Sequence, residues 1–207
     1  MSKAATSLIQ TGLRDLGYQP GAIDGIYGAK TRAATLAWLD ADGRPASTAL
    51  APMGSAVLYQ GSARHPVREI CLHCSATRPD WMADQTLSAQ RQEIRRWHLA
   101  SGWSDIGYHW IIGRDGKLLP GRPETVIGAG VAGHNAGVIH ICLIGGHGSA
   151  ETDHFSKHFT TAQDTTARQL IQAIGMRTRI EVISGHNEYA AKACPGFTVA
   201  QWLKESP

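Results

Sequence analysis

The chain has 207 residues, 43% of them hydrophobic, and a formal net charge of +3. That length suits one large domain or a small domain plus a medium one, with a core that needs no cross-links, and the weak positive charge suits an anionic partner such as a cell wall but is too weak to argue for nucleic acid. No apolar run reaches membrane-spanning length, and the first ten residues lack the apolar core of a signal peptide, so synthesis in the cytoplasm without membrane insertion is expected.

Residues 1–54 read as one unit. Leu8, Ile9, Leu13 and Leu16 recur at helical spacing and stop at Gly17, a residue suited to the C′ position. Residues 20–28 form a glycine-rich turn in which Asp24 can accept from the backbone N–H groups that follow it. A second helix is expected over 29–39, with Ala33, Leu36 and Ala37 inward, and a short third over 47–53. Residues 55–67, rich in small side chains, read as a linker.

From 68 to 207 strands and helices mix. Residues 69–74 predict a buried strand and 87–101 a helix with Ile94 and Trp97 on one side. Strands are expected over 106–112 and 138–144, the second nearly all apolar and therefore central. Thr161-Ala162-Gln163-Asp164 resembles a capping box opening a helix that buries Ala167, Leu170, Ile171 and Ile174. A last strand over 180–183 and a short helix over 198–203 complete the pattern. The fold class is α/β, a mixed central sheet flanked by helices, preceded by a small all-α domain of three helices.

Ten histidines and four cysteines make metal chemistry worth a search. The cysteines are Cys71, Cys74, Cys142 and Cys194, and a cytosolic start favours free thiols or metal ligands over disulfides. His186 is followed eight residues later by Cys194, with Lys192 between them, and Pro195 keeps the Cys194 backbone extended or turning. Such a pair can fill two positions of a tetrahedral zinc. His73, at a strand end before Ser75-Ala76-Thr77, is the best third candidate. Three protein ligands would leave a fourth position for water. Taken alone, the His186/Cys194 spacing more often means an ordinary hydrogen-bonded histidine than a ligand. Cys71 and Cys74 spell C-x-x-C, but residues three apart in a strand point to opposite faces, which argues against a shared metal or disulfide. His154 and His158 fall in a polar stretch read as an exposed loop.

Leu72-His73-Cys74-Ser75-Ala76-Thr77, Gly107-Tyr108-His109-Trp110-Ile111-Ile112, Cys142-Leu143-Ile144-Gly145-Gly146 and Lys192-Ala193-Cys194-Pro195-Gly196-Phe197 stand in a specific order and spacing. Over residues 69–203 the chain resembles the type-2 N-acetylmuramoyl-L-alanine amidases. The resemblance is to their T7 lysozyme-like branch in particular, which is itself similar to peptidoglycan recognition proteins. It implies one Zn2+ per chain on His73, His186 and Cys194, with Tyr108 and Lys192 as catalytic side chains. It places Trp97 and His98, with Arg95 and Gly102-Trp103, beside a substrate groove, and Asn135 within it on a glycine-rich loop. In that loop the family often carries His at the position of Gly130, and a small residue and Gly at those of Val138 and His140.

Leu16-Gly17-Tyr18, Ile23-Asp24-Gly25-Ile26-Tyr27-Gly28 and Thr31 resemble a three-helix peptidoglycan-binding module, with Asp24 and Tyr27 implied as wall contacts and Trp38-Leu39 where that family usually has Phe-Gln. Together the resemblances imply a monomeric hydrolase that cuts the amide bond between N-acetylmuramic acid and L-alanine in peptidoglycan. Without a signal peptide it is expected to be made in the cytoplasm and to reach the cell wall after release, as a phage-type endolysin does. A recognition protein that binds peptidoglycan without cutting it is the first alternative; relatives of that kind lose a zinc ligand, usually the Cys, which is present here. A cytosolic wall-recycling amidase is the second, although a wall-binding module has no purpose on soluble fragments. A regulatory role on another macromolecule is neither supported nor excluded.

Overall fold

The computed structural model describes residues 3–15, 17–40 and 57–205. The chain divides into two compact units, residues 1–51 and 52–207.

In the first unit, α1 (Lys3–Asp15) and α2 (Ala29–Asp40) flank the glycine-rich turn. Gly17 ends α1 as expected: its N–H donates to the Arg14 carbonyl, and the Tyr18 N–H to that of Leu13, the paired bonds of a Schellman motif. The hub is Gln10, buried at 1% exposure. Its Nε2 lies 3.0 Å from Asp24 Oδ1, 3.1 Å from the Ile26 carbonyl and 3.1 Å from Thr31 Oγ1, while its Oε1 accepts from the Gly25 N–H at 3.0 Å. Gly25 has φ +74°, and a Cβ there would lie 2.7 Å from the Lys3 carbonyl oxygen, so the turn requires glycine. The inner face of α2 differs from the expectation. Thr31 and Ala34 are buried and Ala33 and Ala37 are exposed, because the Thr31 hydroxyl reaches Gln10 and the Pro20 carbonyl. The expected helix over 47–53 and the side chains of Leu8, Leu16, Leu36, Trp38 and Leu39 lie outside the described residues.

The second unit begins earlier than the expected linker end. β1 (Tyr59–Gln60) and β2 (His65–Pro66) form an antiparallel pair. Gln60, fully buried, accepts from the Gly137 N–H at 2.9 Å and donates to the Val138 carbonyl at 3.0 Å. Val67 is also fully buried. Small residues here make a hairpin pinned to the domain, so residues 57–67 are part of it rather than a linker. Gln60→Ala should leave that buried N–H and C=O short of a partner and lower stability by about 1–3 kcal/mol, read by urea denaturation.

The main sheet contains β3 (Glu69–Cys74), β4 (Trp110–Ile112), β5 (Leu118–Pro120), β6 (Val138–Leu143) and β7 (Val182–Gly185). Its order is β5-β4-β6-β3-β7, with only β5 antiparallel to its neighbour. β6 is central, and both β3 and β6 are buried throughout, as near-continuous apolar runs in a parallel sheet should be. Alternation divides the sheet's faces. Ile70, Leu72, Cys74, Ile139, Ile141 and Leu143 pack in one core with Ala167, Leu170 and Ile174 of α5 (Thr161–Gly175), Phe155 of α4 (Phe155–His158), and Val199 and Trp202 of α6 (Val199–Trp202). The residues between them in the chain, Cys71 and His73 on β3 and His140 and Cys142 on β6, point the other way. α3 (Leu87–Ala100) adds a second cluster through Leu87 and Ile94 with Ile106, Ile111 and Ile144.

Several boundaries shift. The α5 capping box is set one residue earlier than expected: Thr160 Oγ1 accepts from the Gln163 N–H, and Gln163 Oε1 accepts from the Thr160 N–H. The strand expected from 106 starts at Trp110, because backbone groups before it are taken irregularly. The Arg122 guanidinium binds the Ile106 carbonyl, and the Gly107 N–H donates to His98 Nδ1. The strand expected over 180–183 occupies Val182–Gly185, since Gly185 belongs to it. His158 lies in α4 and bonds Asp153 at 2.7 Å, so only His154 of that pair is exposed as expected. Cys71 and Cys74 fall in different clusters, as alternation requires.

Candidate active site

The parallel β3 and β7 strands carry the chemistry to one sheet end. β3 delivers His73, fully buried. β7 runs into a single turn of 3-10 helix (His186–Glu188), and the loop after it returns Cys194 to β3. The ligand atoms of His73, His186 and Cys194 all lie within 4.8 Å of one another, and Cys194 Sγ is 3.8 Å from His73 Nδ1. A tetrahedral zinc with donors at about 2.0–2.3 Å needs donor separations of about 3.3–3.8 Å. Two imidazoles and one thiol at this spacing therefore fit zinc in chemistry and in reach.

Burial holds both histidines below the usual imidazole range, with the Lys192 charge adding to the effect on His186, so each presents a neutral ring. The Cys194 thiol is pushed up by its Cys74 neighbour and by burial. A cation held there would reverse that balance, and the Cys74 N–H donates to Sγ at 3.3 Å, which favours the thiolate.

A cavity of about 460 Å³ opens beside this trio. Its walls include His186, Tyr108, Lys192 and Asn135, together with Trp103 and Tyr189. The Tyr108 ring sits 5.2 Å from that of His73, and burial keeps its phenol well above the usual range and so protonated. Lys192 is exposed on the loop between His186 and Cys194. A larger cavity of about 740 Å³, between residues 79–90 and the β4–β5 turn, holds none of these groups.

Of the other expected site residues in this unit, Asn135 lines the cavity while His98 and Trp97 stand outside its lining. His98 accepts from the Gly107 N–H at 3.0 Å and packs against Trp103 and Tyr108, so it holds Tyr108 from behind. Trp97 packs on Trp81 and donates to Glu93, away from the cavity walls. Asn135 does line the cavity, and its Oδ1 accepts from the Gly130 and Val131 N–H groups, both at 2.9 Å, which fixes the glycine-rich loop. Asp24, in the first unit, braces its own turn through Gln10 and the Ile26 N–H, contacts that hold its carboxyl below the usual range. Tyr27, 41% exposed, stands beside Ile26, 59% exposed.

Sequence reasoning missed Tyr189 and its support. Its hydroxyl donates to Glu69 Oε1 at 2.8 Å, the Ser184 hydroxyl donates to the same oxygen, and His134 stacks on Tyr189 with 4.1 Å between ring centres while bonding Glu69 Oε2. A tyrosine in the loop between two ligand candidates was the available signal. The structure also accounts for the departures at Gly130 and His140. A Cβ at Gly130 would lie 2.5 Å from His140 Nδ1, so the two positions cannot both carry large side chains.

Residues 63–197 match the family model described as N-acetylmuramoyl-L-alanine amidase. The chain belongs to this family. Residues 2–37 match the model of a peptidoglycan binding domain. Among relatives, the endolysin of Escherichia phage T7 is 37% identical over 143 residues, covering 69% of this chain and 89% of that protein. A peptidoglycan-recognition protein of Drosophila melanogaster is 32% identical over 146 residues, 69% of this chain and 75% of its own. Among solved structures, the N-acetylmuramoyl-L-alanine amidase LysC from Clostridium intestinale URNW superposes with a TM-score of 0.53 at 26% identity, covering 65% of this chain and 81% of its own. The amidase domain of the present chain thus carries the family's fold.

Proposed function

We infer that this amidase hydrolyses the bond between N-acetylmuramic acid and L-alanine in bacterial peptidoglycan, holds one zinc per chain, and works as a monomeric phage-type endolysin that meets the wall after release. The observation that carries the reading is the convergence of His73, His186 and Cys194 at the end of a cavity lined by Tyr108 and Lys192. When bound there, zinc supplies a hydroxide nucleophile near neutral pH and polarises the amide carbonyl. His73 and His186 offer neutral nitrogens, and Cys194 offers a thiolate. The Lys192 ammonium stabilises negative charge developing on the carbonyl oxygen, and the protonated Tyr108 phenol donates a hydrogen bond into the same space. Asn135 fixes the glycine-rich loop that forms part of the same cavity's lining. The presence of Cys194 favours a cutting enzyme over a recognition protein without a full ligand set. No helix among the described residues is long and apolar enough to cross a membrane.

Digestion of purified walls tests the reading. New L-alanine amino termini should appear without new reducing sugars, should vanish with a chelator and return with zinc. New glycan reducing ends with the stem peptides still attached would overturn it.

The first unit is proposed to hold the enzyme on insoluble wall through the exposed Ile26–Tyr27 turn. Removing residues 1–51 should leave cleavage of soluble muropeptides unchanged and reduce cleavage of sedimented walls, because a tethered module raises local substrate concentration. Extending the deletion through residue 67 should also cost folding, since Gln60 and Val67 are lost.

A further inference from the structure

Three buried imidazoles, His73, His140 and His109, lie in contact on the face of the sheet that carries the site. The backbone settles the tautomer of His109. Its Nδ1 accepts from the His140 N–H at 2.9 Å, so its proton sits on Nε2, 2.9 Å from the Val126 carbonyl. His140 is the buried imidazole that neither the reaction nor the backbone accounts for. Its Nδ1 is 3.0 Å from His73 Nε2, and its Nε2 has no hydrogen-bond partner among the described residues.

The slot for this ring is built. A Cβ at Gly128 would lie 2.4 Å from His140 Cδ2, and one at Gly130 would lie 2.5 Å from its Nδ1 and 2.8 Å from His73 Nε2. Two glycines keep the surrounding loop clear so that one imidazole can reach the other.

The His73 ring is engaged at both nitrogens. Nδ1 faces Cys194 Sγ, and Nε2 faces His140. A neutral imidazole that ligates through one nitrogen carries its proton on the other, and that proton needs an acceptor to fix the ring. We propose that His140 is a positioning residue whose Nδ1 accepts the His73 Nε2–H, locking His73 in the tautomer and orientation that present Nδ1 to the metal. The His140 proton then sits on Nε2, the atom left without a partner. This rests on the zinc reading above. A second ion shared by Cys71, His73 and His140, whose ligand atoms also lie within 4.8 Å of one another, is the competing arrangement.

Two variants and one spectrum of the full chain test the proposal. His140→Asn places Oδ1 where Nδ1 was, and His140→Leu fills the slot without an acceptor. Zinc affinity, read by competition with a chromophoric chelator, should fall about 10–100-fold in the Leu variant and stay within about threefold of wild type in the Asn variant. The visible spectrum of the cobalt-substituted protein should shift in the Leu variant alone. Equal loss in both variants, or no loss in either, would overturn the proposal. So would two zinc ions per wild-type chain falling to one in His140→Asn. Nitrogen-15 spectra of the zinc-loaded wild type require no variant. They should show His140 protonated at Nε2 only, and a proton on Nδ1 would overturn the positioning role while leaving the metal site intact. A wild-type chain that takes up no zinc would instead remove the zinc reading and this proposal with it.

Discussion

Lys192→Ala is expected to keep its zinc and its affinity for wall fragments while kcat falls about 10²–10³-fold, the usual effect of losing one donor to a developing oxyanion. The side chain stands on the cavity wall, and its charge is felt by both His73 and His186. An exposed lysine with no catalytic part would change stability by less than about 0.5 kcal/mol when truncated and leave turnover alone. These outcomes are far enough apart for a crude assay of stem-peptide release. Zinc content is the control, because loss of metal would lower turnover for a different reason. A zinc-replete variant with turnover near wild type would leave Tyr108 as the remaining donor.

Cys194→Ser is expected to have a larger effect and through another route. A hydroxyl is a far poorer zinc ligand than a thiolate. Groups that only orient a ligand are worth about 10–100-fold in metal affinity, so losing a ligand itself should exceed that. Metal analysis after dialysis should find the variant largely zinc-free, and activity should fall with it. Folding should survive at moderate temperature, since Cys194 is a half-buried loop residue packed at the edge of a core built on β3, β6 and α5. Full zinc occupancy in this variant would remove Cys194 from the ligand set.

The elements that carried strong periodic signals were legible in the sequence. β3 and β6 are long apolar runs, α3 and α5 carry apolar stripes, and a capping box one residue out of register announced α5, so their type and approximate place followed from pattern alone. The candidate metal trio was only half legible. Spacing offered His186 and Cys194 and a strand-end position offered His73 as a candidate, but its partnership depends on β3 lying beside β7, which no local pattern reveals. The family resemblance supplied that link. Tertiary polar roles were the least legible. Gln10 and Gln60 look like ordinary surface residues in the sequence, yet each closes a buried set of backbone groups. Residues 57–67 misled because small side chains suit a tight hairpin as well as a linker. His140 was visible only as a departure from the family, and the reason for it emerged from the space that Gly128 and Gly130 leave.

The strand order has a consequence for the timing of biosynthesis. His73 leaves the ribosome early in translation of the β-sheet unit, on a strand whose outer neighbour, β7, is among the last elements to be made. Domains generally fold as units, and contacts this distant in sequence form late. His186 and Cys194 both follow β7, so until its final stretch emerges the nascent chain carries His73 without the other two proposed donors. On the proposed ligand set the chain is expected to be inert through nearly all of its own synthesis, and any message cut short before Cys194 to yield a product that lacks one of the three donors.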